Sequence, residues 1–232
     1  DGNIISDEFW VNVPVLKDKM IQQKPFLGLE STENTQIRIA YNNSTLFLGV
    51  VCYDSSPNIL VVSDSRRDSD LSDDDSFLFI IDTYNDQQNG FLFGTNSDGM
   101  EYDAQIDNEG VGNRTSQRQQ GGVVGGTNVN WDTSWSVKTE KNDYGWSAEF
   151  AIPLKSIRFS PGKDKTWGIN FQRNISKNNE VSFWSPLPVG FGFGIKRVSL
   201  AGKMSGLNLK NPGNLKFLPY ILTQATRNKS TN

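Results

Sequence analysis

The sequence predicts an all-β fold, an antiparallel jelly-roll-like or immunoglobulin-like β-sandwich of about ten strands. Three observations carry that prediction. Short apolar runs alternate with polar residues at a period of two, and Asn, Asp and Gly turn signals recur at close intervals between them. No segment sustains the 3.6-residue apolar period of an amphipathic helix. With 232 residues, 36% hydrophobic and 11% aromatic, the chain can bury the core of one β domain. No repeat or composition break divides residues 1–222, and the polar stretch 223–232 (TQATRNKSTN) reads as a tail or linker.

Taken in order, residues 1–10 (DGNIISDEFW) predict one turn and then Trp10 as a plug at the end of a core. Residues 20–26 read only as extended chain. The first clear hairpin covers 35–54: Ile37, Ile39 and Tyr41 alternate with polar residues, Asn42-Asn43-Ser44-Thr45 turns the chain, and Leu46, Leu48, Val50 and Cys52 alternate back. Pro57 opens a single helical turn. Two apolar runs, 77–81 and 91–93, are strands threaded through an acidic, Asn-rich stretch from 64 to 107. Residues 109–130, with Gly pairs at 121–122 and 125–126, predict a long surface excursion. A second hairpin runs out through Trp135, Val137 and Thr139, turns at 141–145, and returns through Trp146, Ala148, Phe150 and Ile152. Pro153 opens another helical turn. Trp167, Ile169 and Phe171 mark a strand whose partner, 181–184, follows the Asn178-Asn179 turn; Pro186 and Pro188 end that pair, since Pro donates no ladder hydrogen bond. Segments 198–204 and 215–222 supply the last strands. Trp135, Trp146 and Trp167 fall in clean alternation and are assigned to the core.

Composition removes whole classes of chemistry. There is no His, which excludes Ser-His-Asp and Cys-His catalysis and His-ligated zinc or haem; Met20, Met100 and Met204 are the only thioethers left for a haem iron. The single Cys52 forms no internal disulfide and reads as a buried structural thiol. Net charge is −3 and no basic run exceeds Arg66-Arg67, so neither nucleic acid nor a polybasic membrane patch is indicated. No apolar segment in this chain approaches the roughly 20 residues of a spanning helix. Carboxylate chemistry, oxygen-ligated metals and binding without chemistry remain.

The acidic stretch is where such functions concentrate. Carboxylates and amides crowded at strand ends suit hard cations and sugar hydroxyls, and they equally suit a solvated acidic face. Asp82, Asn85 and Asp86 follow the first run, and Asn96, Asp98, Glu101 and Asp103 surround the Gly99 turn. Neither cluster matches an EF-hand loop, and ordinary hairpins carry the same spacing. Arg66 and Arg67 serve either as ion-pair partners closing this loop or as forked ligand contacts. Trp131 and Trp184 flank turns, which favours exposure. A glycosidase needs two carboxylates about 5 to 9 Å apart. Asp74, Asp75, Asp103 and Glu149 are available, but nothing singles out a pair, and Glu149 faces away from Trp146 and Phe150, towards solvent. The chain therefore reads as non-enzymatic.

The order of motifs resembles the family 9 carbohydrate-binding modules, in the divergent form at the N-terminus of Bacteroidetes outer-membrane proteins with a C-terminal barrel of unknown function. The resemblance is carried by DGNIISDEFW, TENTQIRIAYNNSTLFLGVVCYD, SRRDSDLSDDDSFLFIIDTYND, FGTNSDGMEYDAQI, WDTSWSVKTEKNDYGWSAEFAIPLKSIRF, TWGINFQRNISKNNEVSFWSP and NLKFLPYI, in order over nearly the whole chain. It implies a sandwich that binds a glycan without catalysis, stabilised by calcium, outside the cytoplasm in the periplasm or at the cell surface, with the outer-membrane barrel as its partner. On this basis Trp184, Trp131, Arg66, Arg67, Asp74, Asn96 and Tyr102 are expected to contact ligand. Asp82, Asn85, Asp86, Asp98, Glu101 and Asp103 are expected to hold the metal. One departure matters: the family grips a sugar between two Trp rings, one near the start of the central acidic strand, where this chain has Asp70-Leu71-Ser72-Asp73-Asp74. Trp184 is left as the remaining platform. The missing clamp also keeps open a protein-docking module of an outer-membrane barrel protein; a glycoside hydrolase activity would belong to an associated protein.

Overall fold

The computed structural model of the chain describes residues 1–111, 123–124, 126–188 and 194–210. The strand expected at 215–222, the tail 223–232 and most of the glycine-rich excursion lie outside them. The described strands are β1 (Ile21–Lys24), β2 (Thr35–Tyr41), β3 (Thr45–Tyr53), β4 (Ser76–Asp82), β5 (Gly90–Asn96), β6 (Tyr102–Ile106), β7 (Val123–Val124), β8 (Thr127–Asn128), β9 (Ser136–Asn142), β10 (Gly145–Pro153), β11 (Gly162–Ile175), β12 (Glu180–Phe183) and β13 (Gly202–Leu209). They form two antiparallel sheets. The smaller has the order β2-β3-β10-β9; the larger has the order β1-β12-β11-β4-β5-β6-β8-β7, with β13 also paired to β11. Both predicted hairpins are present in register, Ile37 opposite Val50 and Phe150 opposite Val137. The all-β sandwich read from the sequence is the observed architecture.

The core between the sheets is aromatic. Phe77, Phe79, Phe93 and Phe171 of the larger sheet meet Trp146 and Phe150 of the smaller, with Trp135 and Trp167 at its margins, as their alternation predicts. Phe79 meets Phe150 edge-on at 5.2 Å, an arrangement that suits the ring quadrupoles. Cys52 is buried here, and burial pushes its thiol up to about 11, where it is inert.

A second apolar layer explains why residues 77–81 read as an unbroken apolar run. All seven residues of β4 are buried, because its other face is roofed as well. Leu78, Ile80 and Leu92 on that outer face pack under Leu71, Leu187, Ile195 and Val198 from the crossing loops. Gly94 makes one such contact possible: a Cβ there would lie 2.9 Å from both Leu71 Cδ1 and Leu78 Cγ.

Three readings change. Asp7 caps a short helix (Glu8–Val11), and Trp10 packs with Ile4 and Val51 on the outer face of the small sheet rather than plugging the end of the core. Glu149 faces away from the core as expected but is not merely solvated, for its Oε1 accepts the Trp10 indole N–H at 3.3 Å. Residues 198–204 open as a 3₁₀ turn (Val198–Leu200), and the strand begins only at Gly202.

Candidate functional site

The acidic stretch is the framework beneath the outer layer, and most of its charge is spent inside the protein. Asp74 is fully buried. It accepts hydrogen bonds from Ser63 N at 2.7 Å and from Asn96 Nδ2 at 2.9 Å. Asn96, also fully buried, turns its oxygen to the backbone N–H groups of Asp98 and Met100. Arg67 gathers Glu101 (2.5 Å), Asp103 (2.6 Å) and Asp132 (2.7 Å), with Asp68 at 3.6 Å. Asp103 also accepts the Trp135 indole N–H at 3.1 Å and the Thr133 N–H at 3.2 Å. Burial nonetheless pushes its carboxyl above the ordinary range, against the pull of Trp135 and Arg67. Arg66 forks onto Asp64 at the surface. Of the two readings open for Arg67, the ion pair that closes the loop is the one observed.

The six expected metal ligands do not converge. Asp82, Asn85 and Asp86 sit where β4 gives way to β5; Asp98 and Glu101 sit in the turn between β5 and β6, about 20 Å away along the seven-residue β5, and Asp103 sits inside β6, opposite Phe93 in the middle of β5. At the first end, Asp82 accepts the N–H groups of Tyr84, Asp86 and Gln87, Asn85 accepts from Lys203, and Asp86 accepts from Gln88 and Asn89. At the second, Asp98 pairs with Lys141, while Glu101 and Asp103 pair with Arg67. At Asp98, Glu101 and Asp103 a guanidinium or ammonium in place neutralises the carboxylate and repels a divalent cation, whereas Asp82 and Asp86 are taken up by N–H donors. Among the described residues no three His, Cys, Asp or Glu side chains are grouped to hold a metal ion. As placed, the six residues do not form one calcium site.

Trp184 is also placed differently from expectation. Its ring lies edge-on to Phe171 at 5.7 Å on the inner side of the sheet, and over Gly202, where a Cβ would approach Trp184 Cζ3 to 2.2 Å. It is a partly buried packing residue. Trp131 rests on Phe91 at the side of the sandwich, with 4.9 Å between centroids, and lines a groove there.

A cavity of about 430 Å³ opens instead on the outer face of the larger sheet. Its floor is Leu78 of β4 and Leu92 of β5, Tyr102 of β6 forms one wall, and Gln172 and Asn174 of β11 form another. Residues 70–72 and 194–196 make the rim. Asn174 is committed, donating to Leu71 O and Ser76 Oγ, and Gln172 donates to Asn174, which leaves the Gln172 carbonyl oxygen without a partner among the described residues. Burial pushes the Tyr102 hydroxyl up to about 12, with Asp70 and Asp68 adding to the shift, so it stays a neutral donor and acceptor. Burial lowers the Lys196 ammonium, with Asp70 opposing. The cavity offers an apolar floor, one aromatic ring and a few convergent polar groups. Tyr102 is the sequence-selected residue that reaches it; Gln172 and Lys196 carried no signal beyond being polar.

No sequence-family model matches the chain, and no curated protein aligns with it. Solved structures do match. A family 9 carbohydrate-binding module from Caldicellulosiruptor kristjanssonii in complex with glucose aligns over 90% of each chain at 17% identity and a TM-score of 0.57. A structure of such a module from the same organism with cellotriose aligns over 94% of each chain at 16% identity and a TM-score of 0.59. This chain has the fold of a family 9 carbohydrate-binding module. A protein from Bacteroides uniformis, described as a candidate carbohydrate-binding protein, shares the fold at a TM-score of 0.60 and 13% identity, covering 86% of this chain and 88% of that one. In this chain residues 70–74, of which 70–72 line the rim of the outer cavity, carry no Trp ring.

Proposed function

We propose that the chain is a non-catalytic glycan-binding module and that the outer cavity receives the sugar. The observation that carries this reading is the cavity itself: an apolar floor of Leu78 and Leu92 beside the Tyr102 ring, rimmed by the open carbonyl of Gln172 and by Lys196. Pyranose rings present apolar faces and a girdle of hydroxyls, so a shallow site of this composition binds them without chemistry. The glucose and cellotriose complexes of modules with the same fold support the ligand class. A single aromatic wall in place of a two-ring clamp predicts weak binding.

The acids considered for hydrolysis support the non-catalytic reading. Asp74 and Asp103 are locked in hydrogen bonds, Asp75 accepts the N–H groups of Val61 and Ser176, and Glu149 lies on the outer face of the other sheet. None of the four lines the cavity. An extracytoplasmic setting and an outer-membrane barrel partner rest on the sequence resemblance, and fractionation of cells expressing the full-length protein tests them. The binding reading is tested by calorimetric titration with glucose, cellotriose and other short oligosaccharides. Saturable binding abolished by Gln172→Ala supports it, and no heat from any of them at millimolar concentration contradicts it.

A further inference from the structure

A second concavity runs along the side of the sandwich and shares no lining residue with the outer cavity. One part, about 590 Å³, is lined by Phe91, Gln105, Trp131, Ser156 and Arg158 among others; an adjoining part, about 310 Å³, is lined by Tyr84 and Asn89 and shares Phe91, Gln105 and Arg158 with the first. The shared residues make the two parts one groove. Trp131 is held firmly in it, its ring on Phe91 at 4.9 Å and edge-on to Phe93 at 6.0 Å, while Tyr84 at the other end is 55% exposed.

Charge in this groove is committed with one exception. Asp132 is paired with Arg67, Asp86 accepts from Gln88 and Asn89, and Asp107 accepts the Gln105 side-chain amide at 3.1 Å. Arg158 is exposed and lines both parts, and its guanidinium makes no hydrogen bond or ion pair among the described residues. The segment carrying it is anchored, since the Arg158 backbone carbonyl accepts the Thr83 hydroxyl. A guanidinium fork on an anchored backbone, lining the same groove as a firmly packed indole, matches a carboxylate carried on a pyranose ring: the fork takes the carboxylate in two parallel hydrogen bonds and the indole takes the apolar ring face.

We propose that this groove is a second carbohydrate site, selective for acidic sugars such as the uronic acids of a polysaccharide. It is independent of the outer cavity, so either site can fail alone. The experiment is a titration of ¹⁵N-labelled protein with trigalacturonate and, separately, with cellotriose. Trigalacturonate is expected to shift the Trp131 indole and Gln105 amide resonances and to bind about tenfold more weakly to Arg158→Gln, an exposed substitution that leaves the fold intact. Tyr102→Ala, in the outer cavity, is expected to leave trigalacturonate affinity unchanged. Three results overturn the proposal: no shift at Trp131 at millimolar trigalacturonate, unchanged affinity in Arg158→Gln, or cellotriose binding in the groove as tightly as trigalacturonate.

Discussion

The acidic rim around Arg67 and the outer cavity are neighbours on the same sheet, and they use polar groups in opposite ways. At the rim, Asp68, Glu101, Asp103 and Asp132 converge on one guanidinium, so dense charge ends as internal cross-linking. In the cavity, sparse polar groups, the Gln172 carbonyl and the Tyr102 hydroxyl, are without a hydrogen-bond partner among the described residues. Binding capacity follows the unspent partner, not the density of oxygen atoms.

Substitutions that separate stability from affinity sharpen this contrast. The largest effect is expected at Trp184. Trp184→Ala should cost about 3 kcal/mol in urea unfolding, the low end for a large aromatic because the ring is only partly buried, with cellotriose affinity unchanged. Lost affinity with intact stability would return Trp184 to the ligand side of the comparison. Arg67→Met should cost about 2 kcal/mol. Breaking a buried pair strands the Asp103 carboxylate, but Arg67 itself is 39% exposed and solvent screens part of the loss. A change near zero would mean that the rim is a solvated face after all. On the cavity side, Tyr102→Ala should weaken sugar binding about tenfold, or about 1.4 kcal/mol, with little change in the unfolding midpoint.

The smallest effect is on pH dependence. Burial holds the folded Asp103 carboxyl above the ordinary aspartate value of 3.8, so between the unfolded and folded values the native state binds more protons. Its contribution to stability is therefore fully present below the unfolded value and is lost as pH rises through the folded one. Urea midpoints compared for wild type and Asp103→Asn should show the wild type gaining on the variant as pH is lowered towards about 4. A constant difference across that range would contradict the assignment.

The fold was legible in the sequence because its signals are local. Alternation at Ile37, Ile39 and Leu46 to Cys52 set a hairpin, and the unbroken run in β4 marked burial on both faces. The fate of the acids was not legible, because their partners are remote: Arg67 and Trp135 reach Asp103 across 36 and 32 residues, and Trp10 reaches Glu149 across 139. Charge density alone does not say which carboxylate will find a cation. Gln172 and Lys196 were invisible for a different reason. An amide in a strand of mixed burial looks like any solvent-facing residue until the roofing loops of the second apolar layer are seen to close around it.

Backbone amide shifts during a cellotriose titration test the central claim most directly. Perturbations should cluster at Leu78, Leu92, Tyr102, Gln172 and Ile195 around the outer cavity, with the loop at 82–86 and the neighbourhood of Trp184 silent. Shifts centred on Trp184 or on the acidic turns, with the cavity residues unmoved, would contradict it.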